Sequence, residues 1–271
     1  MLGVVVYRLR TEVGGHFTMF PGKLLHGALF RYFSAYDAAL AADVHARQAK
    51  PFTVGSLYRT DTVPQQDARA FHAPSFSVGS AQFLRVTGLD SDALAAFERM
   101  PCGTKLQVGK LVFSVTEVIA DGREETGAIA PDVLAAAVLS MEGVRRVRFS
   151  FRTPTVFRTD SGDCAVPYPE LIFASLADKW TQFSLPGVLH KETARAAAAK
   201  LIPLDWHGRG MRIRIAERKT VPGFVGEFSF GLGALPTEEQ EIILLLSQFA
   251  PFCGTGRMTA QGMGETHIFF S

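Results

Sequence analysis

The chain has 271 residues, 47% of them hydrophobic, and a net charge of +2. That length suits two domains of ordinary size around a sizeable buried core, and a charge so near zero excludes a globally basic polyanion binder, so any nucleic acid must be met by local basic patches. Cys102, Cys164 and Cys253 are scattered, which excludes a disulfide framework, and no CxxC or Cys/His cluster offers zinc a site, so a reducing cytoplasmic setting is expected.

The opening run MLGVVVYRLR is too short for a signal segment or a membrane span, and no other uncharged window reaches spanning length. No membrane association is expected, and Val4–Leu9 is expected to be a buried strand. Gly14–Gly22 follows as a loop, with Pro21 placed to start a helix. Lys23–Val44 has helical spacing, with Leu25, Leu29, Tyr32 and Tyr36 on one stripe. Pro51 breaks it. Ser75–Val86 is strand material, Ser91 is the expected cap of a short helix Asp92–Arg99, and Leu106–Ala120 alternates like a strand. This half fits either β-α-β-α-β-β or β-α-β-β-α-β.

Asp121–Gly127 is polar and glycine-flanked, the best linker, and a short helix Pro131–Ser140 follows. Val144–Arg152 alternates strictly, with Val147, Phe149 and Phe151 on one face and Arg146, Arg148 and Arg152 on the other, until Pro154 stops or bends it. Pro169–Phe183 and His190–Lys200 are helical. Met211–Ala216 sets Arg212 and Arg214 against Ile213 and Ile215, with Phe224–Phe230 as its hairpin partner. Thr237 and Gln240 have capping-box spacing before the helix Ile242–Ala250, and Thr266–Phe270 is a last strand. The order β-α-(α)-β-β-α-β is that of a ferredoxin-like unit. The expected fold is therefore α+β, with two ferredoxin-like, RRM-like domains in tandem over residues 1–122 and 128–271.

Between the last helix and the last strand lies GTGRMTAQGMG, residues Gly254–Gly264. Gly254, Gly256, Gly262 and Gly264 would let backbone amides approach a phosphate, with Arg257 adding charge. The loop follows a helix and leads into a strand, the reverse of a dinucleotide fingerprint, and no GK[ST] ends it.

This GxGxxxxxGxG pattern with a central basic residue resembles the signature of the RAMP superfamily of CRISPR-associated proteins. Three more segments narrow the resemblance: LHGALF at 25–30, VHARQAKPFTVGSLY at 44–58, and FSFRTPTVFR at 149–158. Together they resemble the repeat-processing endoribonucleases, the Cas-six family, over nearly the whole chain. The resemblance implies two ferredoxin-like RAMP domains and metal-independent cleavage of CRISPR repeat RNA without a cofactor. The 2′-hydroxyl attacks the adjacent phosphate, leaving a 2′,3′-cyclic phosphate and a 5′-hydroxyl. The partners it implies are repeat RNA, effector-complex subunits and, as among relatives, a second copy.

Such cleavage needs a base, an acid and a cation for the phosphorane, and histidine has the pKa for the first two near neutrality. His45 matches the family's catalytic histidine position, at the edge where the first helix is expected to end. His26, on that helix, can reach the same cleft. Lys50 is the expected phosphorane stabiliser, with Arg47 as substitute, and Ser56 a further phosphate contact. Tyr32 and Tyr36 continue the core stripe. His16, His72, His190, His207 and His267 have no supporting neighbours in sequence. No HExxH or acidic cluster suggests a metal site. Arg148 and Arg152 share one strand face, as do Arg212 and Arg214, and two such ladders in one domain fit a groove for an RNA stem or backbone. The competing expectation is a non-catalytic RAMP subunit that holds guide RNA in an effector complex.

Overall fold

The computed structural model describes residues 1–59, 75–183, 185–187 and 189–271. His72 and the Ser56 side chain lie outside the described residues. The chain forms two compact units. The first comprises Met1–Ala128, Ile213–Val221 and Thr259–Gly262, and the second Ile129–Arg212, Pro222–Met258 and Met263–Ser271.

In the first unit the elements run β1 (Leu2–Val13), β2 (Gly15–His16), α1 (Gly22–Tyr36), α2 (Ala38–Ala46), β3 (Phe52–Arg59), β4 (Ser75–Phe76), β5 (Ala81–Gly88), α3 (Ser91–Glu98), β6 (Lys105–Val108), β7 (Leu111–Ile119) and β8 (Gly127–Ile129). The main sheet has the order β3-β5-β1-β7-β6, with β8 also on β1, and β1 is antiparallel to both β5 and β7. Taking β1, β3, β5 and β7 in chain order, the spatial order is second, third, first, fourth, the ferredoxin-like arrangement and the second of the two orders open to the sequence. Val4, Val5 and Val6 are all buried, as a β-branched run in a central strand should be. Leu106–Ala120, expected as strand material, forms the hairpin β6–β7, turned at Gly109 with φ +65.

The helix expected over Lys23–Val44 is two helices. Leu25, Ala28, Leu29 and Phe33 do form the buried face of α1. At Asp37 the backbone leaves the helical region (φ −154), and its carboxylate accepts from the amides of Ala39 (2.8 Å) and Leu40 (3.0 Å), restarting the chain as α2. An aspartate competing for backbone donors ends one helix and caps the next. Asp37→Ala is expected to cost about 1 kcal/mol, seen as a lower urea midpoint with an unchanged slope. Asp90, not Ser91, caps α3, accepting from the Ala93 amide at 2.8 Å.

The remaining elements are α4 (Pro131–Ala137), β9 (Arg146–Thr155), β10 (Phe157–Thr159), β11 (Gly162–Cys164), α5 (Pro169–Gln182), α6 (Lys191–Ala198), β12 (Ile202–Ala216), β13 (Lys219–Gly231), α7 (Thr237–Cys253) and β14 (Thr266–Phe270), all in the second unit except the hairpin end Ile213–Val221 of β12 and β13, which belongs to the first. The order of their sheet, β12-β13-β9-β14, repeats the pattern of the first unit. Val147, Phe149 and Phe151 face the core as their alternation predicts. Phe149 meets Phe173 of α5 edge-on at 5.5 Å, and Trp180 meets Phe249 of α7 at 5.2 Å while its indole N–H donates to the Pro186 carbonyl at 3.1 Å. Pro154 stays inside β9, whose register against β13 shifts between Phe224 and Gly226. The Thr237/Gln240 capping box does not form. Pro236 is the cap residue, and the Gln240 side-chain Nε2 donates to the Leu235 carbonyl at 2.8 Å. No helix among the described residues is long and apolar enough to cross a membrane.

Candidate active site and nucleic-acid interface

His26 sits on α1, half-buried, with its ring stacked on Phe52 of β3 (5.4 Å between centroids, 23° between planes) and tilted against Phe30 at 4.9 Å. Its Nδ1 lies 2.8 Å from the carbonyl oxygen of Ala260. A carbonyl can only accept, so Nδ1 carries the proton and the neutral ring keeps its lone pair at Nε2. Burial pushes the His26 pKa below the ordinary imidazole value. The Ala260 hydrogen bond works against that push, and the charges of Lys50 and His45 add to it.

His45 occupies the last turn of α2 and is exposed, with its ring edge-on to Phe30 at 5.9 Å. Phe30 thus neighbours both imidazoles. Lys50 donates to the carbonyls of His45 (2.8 Å) and Arg47 (2.5 Å), where a cation complements the carbonyl end of α2. An ammonium has three protons, so one donor remains beyond those two hydrogen bonds. Arg47 is committed elsewhere. It pairs with Asp43 at 2.5 Å and with the cap residue Asp90 at 2.7 Å, so two carboxylates already offset its charge. Tyr32 donates to the Ala96 carbonyl at 2.9 Å and packs on the core, and Tyr36 lies 3.4 Å from Arg99.

Gly254–Gly264 differs in detail from the expected phosphate cradle. All four glycines have left-handed φ, from +65 to +82. The amide of Gly254 donates to Ala250, that of Gly256 to the Ser175 hydroxyl (3.1 Å), that of Gly262 to Thr259 (3.3 Å) and that of Gly264 to Pro154 (3.1 Å). These donors are engaged inside the fold, so the glycines serve backbone geometry. A side chain on Gly256 would strike the Val156 carbonyl, and one on Gly264 the Thr255 carbonyl. Arg257 pairs with Asp163 of β11 at 2.5 Å, and Arg158 reaches the same carboxylate at 3.4 Å. Two guanidinium groups on one carboxylate leave the cluster net positive.

Lys179, which the sequence reading did not single out, is half-buried on α5 and donates to the carbonyls of Cys253 (3.2 Å) and Gly254 (2.6 Å), where α7 runs into the loop. Burial pushes its pKa down. Its one sequence signal is a lysine three residues after Leu176, within the apolar stripe of its helix.

Of the arginine ladders, Arg148 is 3.4 Å from Glu227, with its guanidinium 4.4 Å over the ring of Phe269, an aromatic neighbour the alternation alone did not reveal. Arg152 shares its face. On β12, Arg212 and Arg214 are exposed between buried Ile213 and Ile215, and among the described residues neither pairs with a carboxylate. His267, without a neighbour in sequence terms, has Glu265 at 3.5 Å.

A family model described as CRISPR-associated endoribonuclease Cas6 matches residues 149–266. No curated protein matches the chain. Among solved structures, a Cas6 (TTHB231) product complex is 27% identical with a TM-score of 0.77, covering 99% of this chain and 100% of that one. Thermus thermophilus Cas6 (TTHB231) is 26% identical with a TM-score of 0.72, covering 99% and 98%. A second Cas6 product complex (TTHA0078), 22% identical with a TM-score of 0.74 over 99% of both chains, shares the fold.

Proposed function

We propose that the chain, whose residues 149–266 match the Cas6 endoribonuclease model and whose whole length resembles solved Cas6 structures, binds CRISPR repeat RNA and cuts it by metal-independent transesterification. In this reading His26 Nε2 takes the proton from the 2′-hydroxyl, which attacks the adjacent phosphate in line. His45, protonated, returns a proton to the departing 5′-oxygen, and the remaining Lys50 donor meets the charge that builds on the phosphorane. The products are a 2′,3′-cyclic phosphate and a 5′-hydroxyl. The observation that carries the reading is the His26 ring, held through Nδ1 with its lone pair left at Nε2, beside His45 across Phe30. RNA is held by Arg212, Arg214, Arg148 and Arg152 and by the positive cluster around Arg257. Gly254, Gly256, Gly262 and Gly264 shape the loop that carries that cluster.

The test is incubation of the protein with its repeat RNA in excess EDTA. Cleavage yielding cyclic-phosphate and 5′-hydroxyl ends is expected. Tight binding of RNA that stays uncut would instead identify a RAMP subunit that only holds guide RNA.

A further inference from the structure

Resting on the reading of His26 as a proton acceptor, we propose that the turn Thr259–Gly262 is a positioning element for this histidine. The Ala260 carbonyl selects which imidazole nitrogen carries the proton and sets the ring plane against Phe52. The turn stands more than two hundred residues beyond His26 in sequence, yet it belongs to the same compact unit.

The turn is seated firmly. Gly262 donates to Thr259 at 3.3 Å, and Ala260 packs against the hydrophobic core of the unit. It is also seated closely. Gly22, in the first turn of α1 and one helical turn before His26, has no side chain, and a Cβ there would collide with the Gln261 carbonyl. The same closeness recurs at Gly262, where a Cβ would lie 3.1 Å from the Gly22 Cα. The glycines at 22 and 262 thus let two backbone segments touch, and this approach delivers the carbonyl to Nδ1 at 2.8 Å. On its other side the ring lies against Phe52, so the hydrogen bond and the stack together fix both the tautomer and the plane.

The charged groups around the ring are few. Lys23 lies three residues earlier on α1 and is exposed, His45 comes from α2, and Lys50 from the segment after it. The turn itself, Thr-Ala-Gln-Gly, contributes none, and β3 presents Phe52. Among the described residues no carboxylate acts on the ring, so the neutral Ala260 carbonyl is the partner that orients Nδ1.

Nitrogen-15 NMR of the full-length protein reads the tautomer directly. His26 is expected to be protonated at Nδ1 and bare at Nε2 in its neutral form. A His26 signal from the Nε2–H tautomer, or from an equal mixture, overturns the proposal without any variant. The second arm is Gly22→Ala, which forces the Gln261 carbonyl away. Loss of the Nδ1–H signature is expected, together with a fall of tenfold or more in the single-turnover rate and no change in the Kd for repeat RNA. Unchanged rate and unchanged signature in a folded Gly22→Ala protein would also overturn it. If the native protein fails to cut RNA at all, the proposed activity falls, while the NMR result still decides whether the turn fixes the ring.

Discussion

His26→Ala is expected to slow single-turnover cleavage of repeat RNA by about 10²–10⁴-fold while leaving RNA affinity close to native. The side chain lies on a half-buried helix face, where its ring interacts with Ala260, Phe30 and Phe52. Its removal therefore takes away the proposed proton acceptor without taking away a cation that could hold phosphate at neutral pH. His45→Ala is expected to fall in the same range, and the double substitution to lose far less than the product of the two losses, because in the proposed mechanism both groups serve one transition state. The acid side of the pH–rate profile provides an independent check. A base must be neutral to work, and burial holds the His26 pKa below its usual value. The rate should therefore rise with pH through a midpoint below about 6.5, and that limb should vanish in His26→Ala. A midpoint at or above the ordinary imidazole value would show that another group is the base.

The second large effect concerns binding. Arg212 and Arg214 project from β12 in alternation with buried Ile213 and Ile215, and among the described residues neither is neutralised by a carboxylate. Replacing both by alanine is expected to weaken repeat RNA binding strongly at low salt and to flatten the plot of log affinity against log salt. The slope should change by about 0.7–0.9 for each phosphate that the protein ceases to neutralise. Single-turnover cleavage at saturating protein should stay near native. Arg148→Ala is expected to do less, since Glu227 already offsets part of its charge. An unchanged salt slope in the double variant would remove β12 from the RNA path.

The strands with strict alternation were legible because burial on one face dictates side-chain type at every second position. Val147, Phe149 and Phe151, and Ile213 and Ile215, lie in the core where the pattern put them. The strand order followed from the element order in the second half, while the first half admitted two orders until the pairing of β3 with β5 separated them. The break at Asp37 was hidden because Tyr36 and Leu40 continue a plausible helical stripe, and a single carboxylate turning onto two amides overrode it. The capping box failed for a related reason. The helix begins one residue early, with Pro236 as its cap, which leaves Thr237 inside it.

At the site, the histidines and Lys50 could be named from residue type and resemblance. Their partners could not, because they are backbone carbonyls, and a carbonyl leaves no trace in residue type. The loop glycines were noticed for a real reason, positive φ and close approach, but the atoms they approach are those of Val156, Thr255 and Gly22. A pattern of glycines records that something lies close and does not say what.

The first unit is assembled from three stretches of chain, Met1–Ala128, Ile213–Val221 and Thr259–Gly262. During synthesis this order has a cost in time. At roughly 5–20 residues per second, the turn carrying Ala260 leaves the ribosome on the order of ten seconds after the segment ending at Ala128. A nascent or prematurely terminated polypeptide can therefore carry both histidines and still lack the carbonyl that orients one of them. Under the proposed mechanism, fragments that stop short of Ala260 are expected to lack the oriented base and to leave RNA uncut.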